Sequence, residues 1–198
     1  PKIKFLMLMR DEKLAALETS FDVETATLRV KRNGKPVVSG VLTTPVGRKL
    51  IEQFFAAYLG ANLPGVPRVV SAPGHAFTDV PKKWISILNL ASVRDLERVQ
   101  GAPVDPARFR ANIVIDGLKP WIEKTWAGGA LEIGGARLAV TSNIVRCAAT
   151  NVNPATTQRD MQIPATLERV FGANAMGIYA NVVSAGRIAA GDEIKVSA

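Results

Sequence analysis

Short runs of β-forming residues, broken by Asn-Gly and Gly-Gly pairs, constrain this chain more than any other feature. Leu28 and Val30 alternate with Thr27, Arg29 and Lys31, and Asn33-Gly34 follows at once. Both turn positions tolerate positive φ, so the pair predicts a two-residue hairpin with Val37-Val38 on the return strand. Gly134-Gly135 sits in the same way between Ala130–Ile133 and Ala136–Thr141. Arg108–Ile115 is the cleanest alternation: Phe109, Ala111, Ile113 and Ile115 on one side, Arg108, Arg110 and Asn112 on the other. Trp84–Leu88 reads as a buried strand, Ile178–Val183 and Glu193–Val196 as closing strands. A further strand is expected at Lys2–Arg10, where Ile3, Phe5, Met7 and Met9 share a parity.

Helices are few and short. Thr44 can cap one that begins at Pro45, carries Val46, Leu50, Phe54 and Ala57 on one face, and stops at Gly60. Ala91–Val99, capped by Asn89 or Ser92, and Ile163–Gly172 are the others. Many strands with few helices give a mainly β, α+β class, with a closed or partly closed barrel. Pro64, Pro67 and Pro73 mark residues 61–74 as a connector. Residues 1–60 then form an N-terminal β segment with a helix, and 75–198 the barrel.

The chain contains one cysteine and one histidine, which excludes an internal disulfide and a zinc site built from several such ligands. A reducing, cytoplasmic setting follows as an expectation. No apolar run approaches the roughly 20 residues that span a bilayer, so no membrane partner is expected. Lys and Arg outnumber Asp and Glu, 25 to 17, for a net charge of +8. That excess favours an anionic partner. The basic residues form no tract, and aromatics are only 6% of the chain, which argues against a nucleic acid held by stacking.

Three groups of residues could carry chemistry. The first is the expected comb Arg108, Arg110 and Asn112, either a cradle for phosphate or a solvated strand face. The second surrounds Cys147, with Arg146 before it and Thr150 and Asn151 after it. A thiolate there binds soft metals or attacks electrophiles; the plain alternative is a small buried hydrophobe. The third is His75 in a Pro-Gly loop, a general acid or a surface residue. The carboxylates are scattered, and no glycine-rich phosphate loop follows a strand.

In their order along the chain, these segments resemble the MOSC domain, the C-terminal domain of molybdenum cofactor sulfurases. It is also found in the mitochondrial amidoxime reducing component and its bacterial relatives. The residues that carry the resemblance are Arg108-Phe109-Arg110-Ala111-Asn112-Ile113, Trp121 to Trp126, Arg146-Cys147 with Thr150 and Pro154, Arg159-Asp160, and Gly177-Ile178-Tyr179-Ala180 with Gly186 and Gly191-Asp192. The resemblance implies a MOSC-like β-barrel with a partial N-terminal β-subdomain. It implies a molybdenum cofactor, a pyranopterin carrying molybdenum, with Cys147 as metal ligand. The anionic pterin would lie on Arg108, Arg110 and Asn112, with Arg146, Thr150 and Asn151 near the metal. N-hydroxylated or related substrates would be reduced, with electrons from a donor protein or domain. In other members the matching cysteine is suspected of carrying persulfide sulfur, so a sulfur carrier fed by a cysteine desulfurase is an alternative. A non-catalytic module for an anionic partner is another, and pyridoxal phosphate binding is a further family-level association. The chain departs from the best-known reductases at Asn153, where they have aspartate. In addition, Lys2–Leu59 resembles only the later part of the longer members' N-terminal subdomain, without its Lys-Ser segment. A missing part of the pterin pocket is therefore expected.

Overall fold

The computed structural model describes residues 4–74, 80 and 82–197. They fall into two compact units, Pro1–His75 with Val152–Arg159, and Ala76–Asn151 with Asp160–Ala198. The inclusion of Val152–Arg159 in the first unit is absent from the linear reading.

The first unit is built on an antiparallel sheet of β1 (Leu17–Asp22), β2 (Thr27–Arg32) and β3 (Lys35–Val41), in that order. The Asn33-Gly34 turn joins β2 to β3, with φ of 52° and 71° at its two residues. Helix α1 (Pro45–Leu59) follows, and the Thr44 hydroxyl accepts from the Gly47 N–H at 3.0 Å. Start, cap and end of α1 match expectation, but its inward face does not. Val46 and Leu50 are exposed, while Gly47, Ile51 and Leu59 are buried. The reason is the approach of α1 to β3. A Cβ on Gly47 would fall on the Val41 carbonyl oxygen, and one on Gly40 on the Gly47 carbonyl oxygen. Only two glycines allow this distance, so they define the helix face that turns inward. Nor is there a strand at residues 4–10. Met7 accepts from the N–H groups of Arg10 and Asp11 at 3.0 and 2.9 Å, and these local bonds make a turn.

The second unit contains a curled six-stranded sheet in the order β5-β4-β8-β7-β6-β9. Its strands are β4 (Ile85–Asn89), β5 (Ile113–Ile115), β6 (Ala130–Ile133), β7 (Ala136–Val145), β8 (Ala175–Ser184) and β9 (Ile194–Ser197). All neighbours are antiparallel except β4 and β5, which are parallel and joined through α2 (Leu90–Gln100). Parallel neighbours need such a crossover. The pleat of β4 divides two cores. Ile87 packs with Ile115, Leu131, Leu138, Val140 and Ile178. Leu88 packs with Leu96, Phe109, Leu167 and Met176, under α2 and α3 (Ile163–Phe171). At the end of β4, Asn89 caps α2 by accepting from the Ala91 N–H at 3.0 Å. Asn89 Nδ2 and Ser92 Oγ donate to the fully buried Glu123 carboxylate at 2.9 and 2.8 Å. These bonds tie the 122–126 turn to the β4–α2 corner.

The strand expected from Arg108 begins only at Ile113. Asp105 accepts from the Ala107 N–H at 2.8 Å and caps a 3-10 turn, Pro106–Phe109. Arg110 then adopts a left-handed conformation, φ 51°. The alternation of residue types is therefore produced by a turn and a reversal, not by pleat.

Gly47→Ala tests the helix–strand approach. In an ordinary helix interior this exchange stabilises by about 1 kcal/mol. Here the new methyl meets the Val41 backbone, so a loss of about 1–3 kcal/mol is expected instead, read from urea denaturation.

Candidate functional site

Cys147 follows the end of β7 and precedes a 3-10 turn, Ala148–Asn151. It is an exposed free thiol. Its sulfur makes no hydrogen bond among the described residues, so its place is set by backbone on either side.

On the upstream side stands Arg146, only 8% exposed. Its Nε donates to the Met176 carbonyl at 2.8 Å and its Nη1 to the Phe109 carbonyl at 3.1 Å. The guanidinium also lies over the Phe109 ring, 5.2 Å from its centroid. Nη2 is buried with no acceptor among the described residues. A Cβ on Gly177 would lie 3.1 Å from that nitrogen and 2.5 Å from the Ile87 carbonyl oxygen, so glycine leaves room for the guanidinium. Burial pushes the Arg146 pKa down to about 10, against opposing effects of Tyr179 and Cys147. The group remains a cation at neutral pH. Its folded value lies below the unfolded one, so the charge costs folding energy at every pH below about 10. No ion pair of Arg146 exists among the described residues to offset that cost.

Downstream, Thr150 N–H and Oγ1 both donate to the Cys147 carbonyl, at 3.1 and 3.0 Å. Asn151 Oδ1 accepts from the Ile163 N–H at 2.8 Å at the start of α3, and its Nδ2 donates to Gln162 at 3.4 Å. Thr150 and Asn151 are buried. These polar groups bind the protein's own backbone and side chains.

The comb is not formed. Arg108 is 4% exposed; its Nη2 donates to both Asp160 oxygens at 2.7 and 2.9 Å. Its Nη1 donates to the Asn151 carbonyl at 3.1 Å and the Thr150 carbonyl at 3.4 Å. Asn112 Oδ1 accepts from Ser86 N–H and Oγ, both at 2.9 Å. Arg110 alone of the three presents an exposed side chain without a partner among the described residues. The 106–110 turn and the cysteine loop are thus joined reciprocally, Arg108 reaching forward to carbonyls 150 and 151 and Arg146 reaching back to carbonyl 109. His75 lies outside the described residues. No group of three or more potential His, Cys, Asp or Glu metal ligands exists among the described residues.

Asn153, the departure from aspartate, lies in the other unit and has a local task. Its Oδ1 accepts from the N–H groups of Ala155 and Thr156 at 2.9 and 3.2 Å. Asn and Asp close such a turn equally well. The residues that the linear reading missed are Asp160, Gly177 and Met176. Only Asp160 and Gly177 had a signal, as members of the segments that carried the resemblance.

The donor set can be tested against the molybdenum cofactor. A solvent-open thiol is a suitable soft ligand. The buried, carboxylate-free guanidinium of Arg146 keeps positive charge beside it, which favours an anionic ligand. Arg110 adds an exposed cation. These residues fit the group; Arg108 spends both Nη atoms on Asp160 and two carbonyls within the protein, and its buried Nε has no partner among the described residues.

The sequence pattern of the MOSC domain family matches residues 74–195. Among solved structures, the chain is similar to the YuaD protein from Bacillus subtilis, with 22% identity and a TM-score of 0.48, over 69% of this chain and 72% of that one. It is also similar to YiiM from Geobacillus stearothermophilus, with 19% identity and a TM-score of 0.46, and to YiiM from Escherichia coli, with 19% and 0.43. Each YiiM comparison covers 58% of this chain and 54% of the other, so the chain spans about half the length of those proteins. No curated protein matches the sequence. No helix among the described residues is long and apolar enough to cross a membrane.

Arg146→Lys keeps the charge but lacks the planar fork that serves two carbonyls. Leaving either carbonyl unpaired in this dry place costs about 1–3 kcal/mol. The expected result is a lower midpoint in urea denaturation with an unchanged slope.

Proposed function

Because the chain belongs to the MOSC domain family, which is associated with molybdenum-cofactor-related function, we propose that it is a molybdenum-cofactor-binding oxidoreductase domain reducing N-hydroxylated or related substrates, with Cys147 as the metal ligand. The observation that carries this reading is the sulfur itself: exposed, without a hydrogen bond among the described residues, and held in place from both flanks.

A metal-bound thiol is deprotonated outright, so Cys147 needs no neighbouring base. Arg146 supplies a fixed positive charge behind the loop without offering its own hydrogen bonds to water. Arg110 is the cation best placed by exposure to meet the anionic end of the pterin; Arg108 is not assigned to it. When bound, the cofactor would supply two-electron chemistry, in which an N–OH group, two electrons and two protons become N–H and water. The electrons come from a donor protein or domain. The protein contributes ligation, orientation and charge. Cys147 must remain a thiol for this, so a reducing, cytoplasmic setting is part of the proposal.

The exposure of the sulfur also favours a second reading, in which a protein partner reaches it. A cysteine desulfurase would pass the outer sulfur of its own persulfide to Cys147, leaving the donor as a thiol and Cys147 as a persulfide.

Metal analysis after anaerobic purification separates the two. The first reading expects stoichiometric molybdenum in the wild type. In Cys147→Ser it expects a loss of metal and of reductase activity beyond the roughly 10–100-fold typical of residues that only support a ligand. Retained activity in Cys147→Ser removes the ligand assignment. A labile gain of one sulfur on Cys147 after incubation with a desulfurase, without molybdenum, supports the carrier instead.

A further inference from the structure

We propose that Asp160 is a positioning residue for the Cys147 sulfur, acting through Arg108. The proposal rests on Cys147 being the reacting sulfur.

The relay is continuous. Both Asp160 oxygens accept from Arg108 Nη2, at 2.7 and 2.9 Å. The pair is buried at one end and open at the other, with 2% exposure of the Arg108 side chain and 33% of Asp160. The carboxylate offsets the cost of burying this guanidinium, and removing it leaves the charge uncompensated, which is strongly destabilising. Held from one side, the planar group has its orientation settled, and its other arm meets the carbonyls of Thr150 and Asn151. Those carbonyls belong to the turn whose Thr150 N–H and Oγ1 close on the Cys147 carbonyl. Asp160 is therefore linked to the backbone of Cys147 through two side chains and one turn, and touches the sulfur nowhere. Since no hydrogen bond among the described residues restrains the sulfur, the backbone sets the point from which it projects and the rotamers open to it. Loss of the carboxylate frees Arg108 to rotate toward other acceptors, and the turn behind the thiol loses its external hold.

The chain has one cysteine, so alkylation by iodoacetamide reports on Cys147 alone and needs no cofactor. Rates are compared in the full chain for wild type, Asp160→Asn, Asp160→Glu and Arg108→Lys, with amide exchange of Thr150 alongside. Asp160→Asn is expected to change the alkylation rate several-fold and to speed exchange at Thr150, while Asp160→Glu stays near wild type in both. In molybdenum-loaded protein, the same Asn variant should lose about 10–100-fold in metal affinity. A folded Asp160→Asn protein with the wild-type alkylation rate overturns the proposal. If that variant does not fold, Arg108→Lys decides, because it keeps the charge opposite Asp160 and removes the second arm that reaches the carbonyls of Thr150 and Asn151; an unchanged rate there overturns it equally. A shifted rate in protein that never takes up molybdenum upholds the positioning role and refutes the metal reading, so the two failures are distinguishable.

Discussion

Two buried arginines exchange hydrogen bonds across one gap, and the candidate site depends on that exchange. Arg108 donates to carbonyls next to the cysteine turn, and Arg146 donates to the carbonyl next to Arg108. Each guanidinium satisfies backbone groups that a dry corner would otherwise leave unpaired, which is the costly condition. The two are not equivalent. Arg108 is neutralised by Asp160, whereas Arg146 has no carboxylate among the described residues and bears its burial cost alone. The residue before the one cysteine thus holds a buried cation that no carboxylate neutralises among the described residues.

The packing around this corner follows from the pleat of β4. Ile87 and Leu88 point to opposite faces, so the strand is covered on both and the unit has two apolar layers. The Glu123 carboxylate sits at the end of the same strand, held by Asn89 and Ser92. It joins the 122–126 turn to the corner from which α2 departs. Sheet and crossover helix are therefore tied together at the same corner.

Much of this was legible in residue order. The Asn33-Gly34 and Gly134-Gly135 hairpins, the Thr44-Pro45 helix start and the α3 segment are all local, and local turn and cap chemistry specifies them. The failures are equally physical. The inward face of α1 was misread because Gly47 faces β3 for want of a side chain, and hydrophobicity does not register a glycine that permits contact. Arg108, Arg110 and Asn112 looked like one strand face because a 3-10 turn and a left-handed residue can reproduce alternation. At the site, the thiol and its flanking arginine stood out by type. The inward commitment of Arg108, Thr150 and Asn151 did not, because it depends on carbonyls and carboxylates distant in sequence.

The left-handed Arg110 has a consequence of its own. Its side chain is exposed at the point where the main chain passes through a left-handed conformation, φ 51°. Glycine and asparagine occupy such a conformation more comfortably than arginine does. Arginine persists there against its own backbone preference. A glycine or asparagine at this position would relieve the backbone and remove the exposed charge in one change.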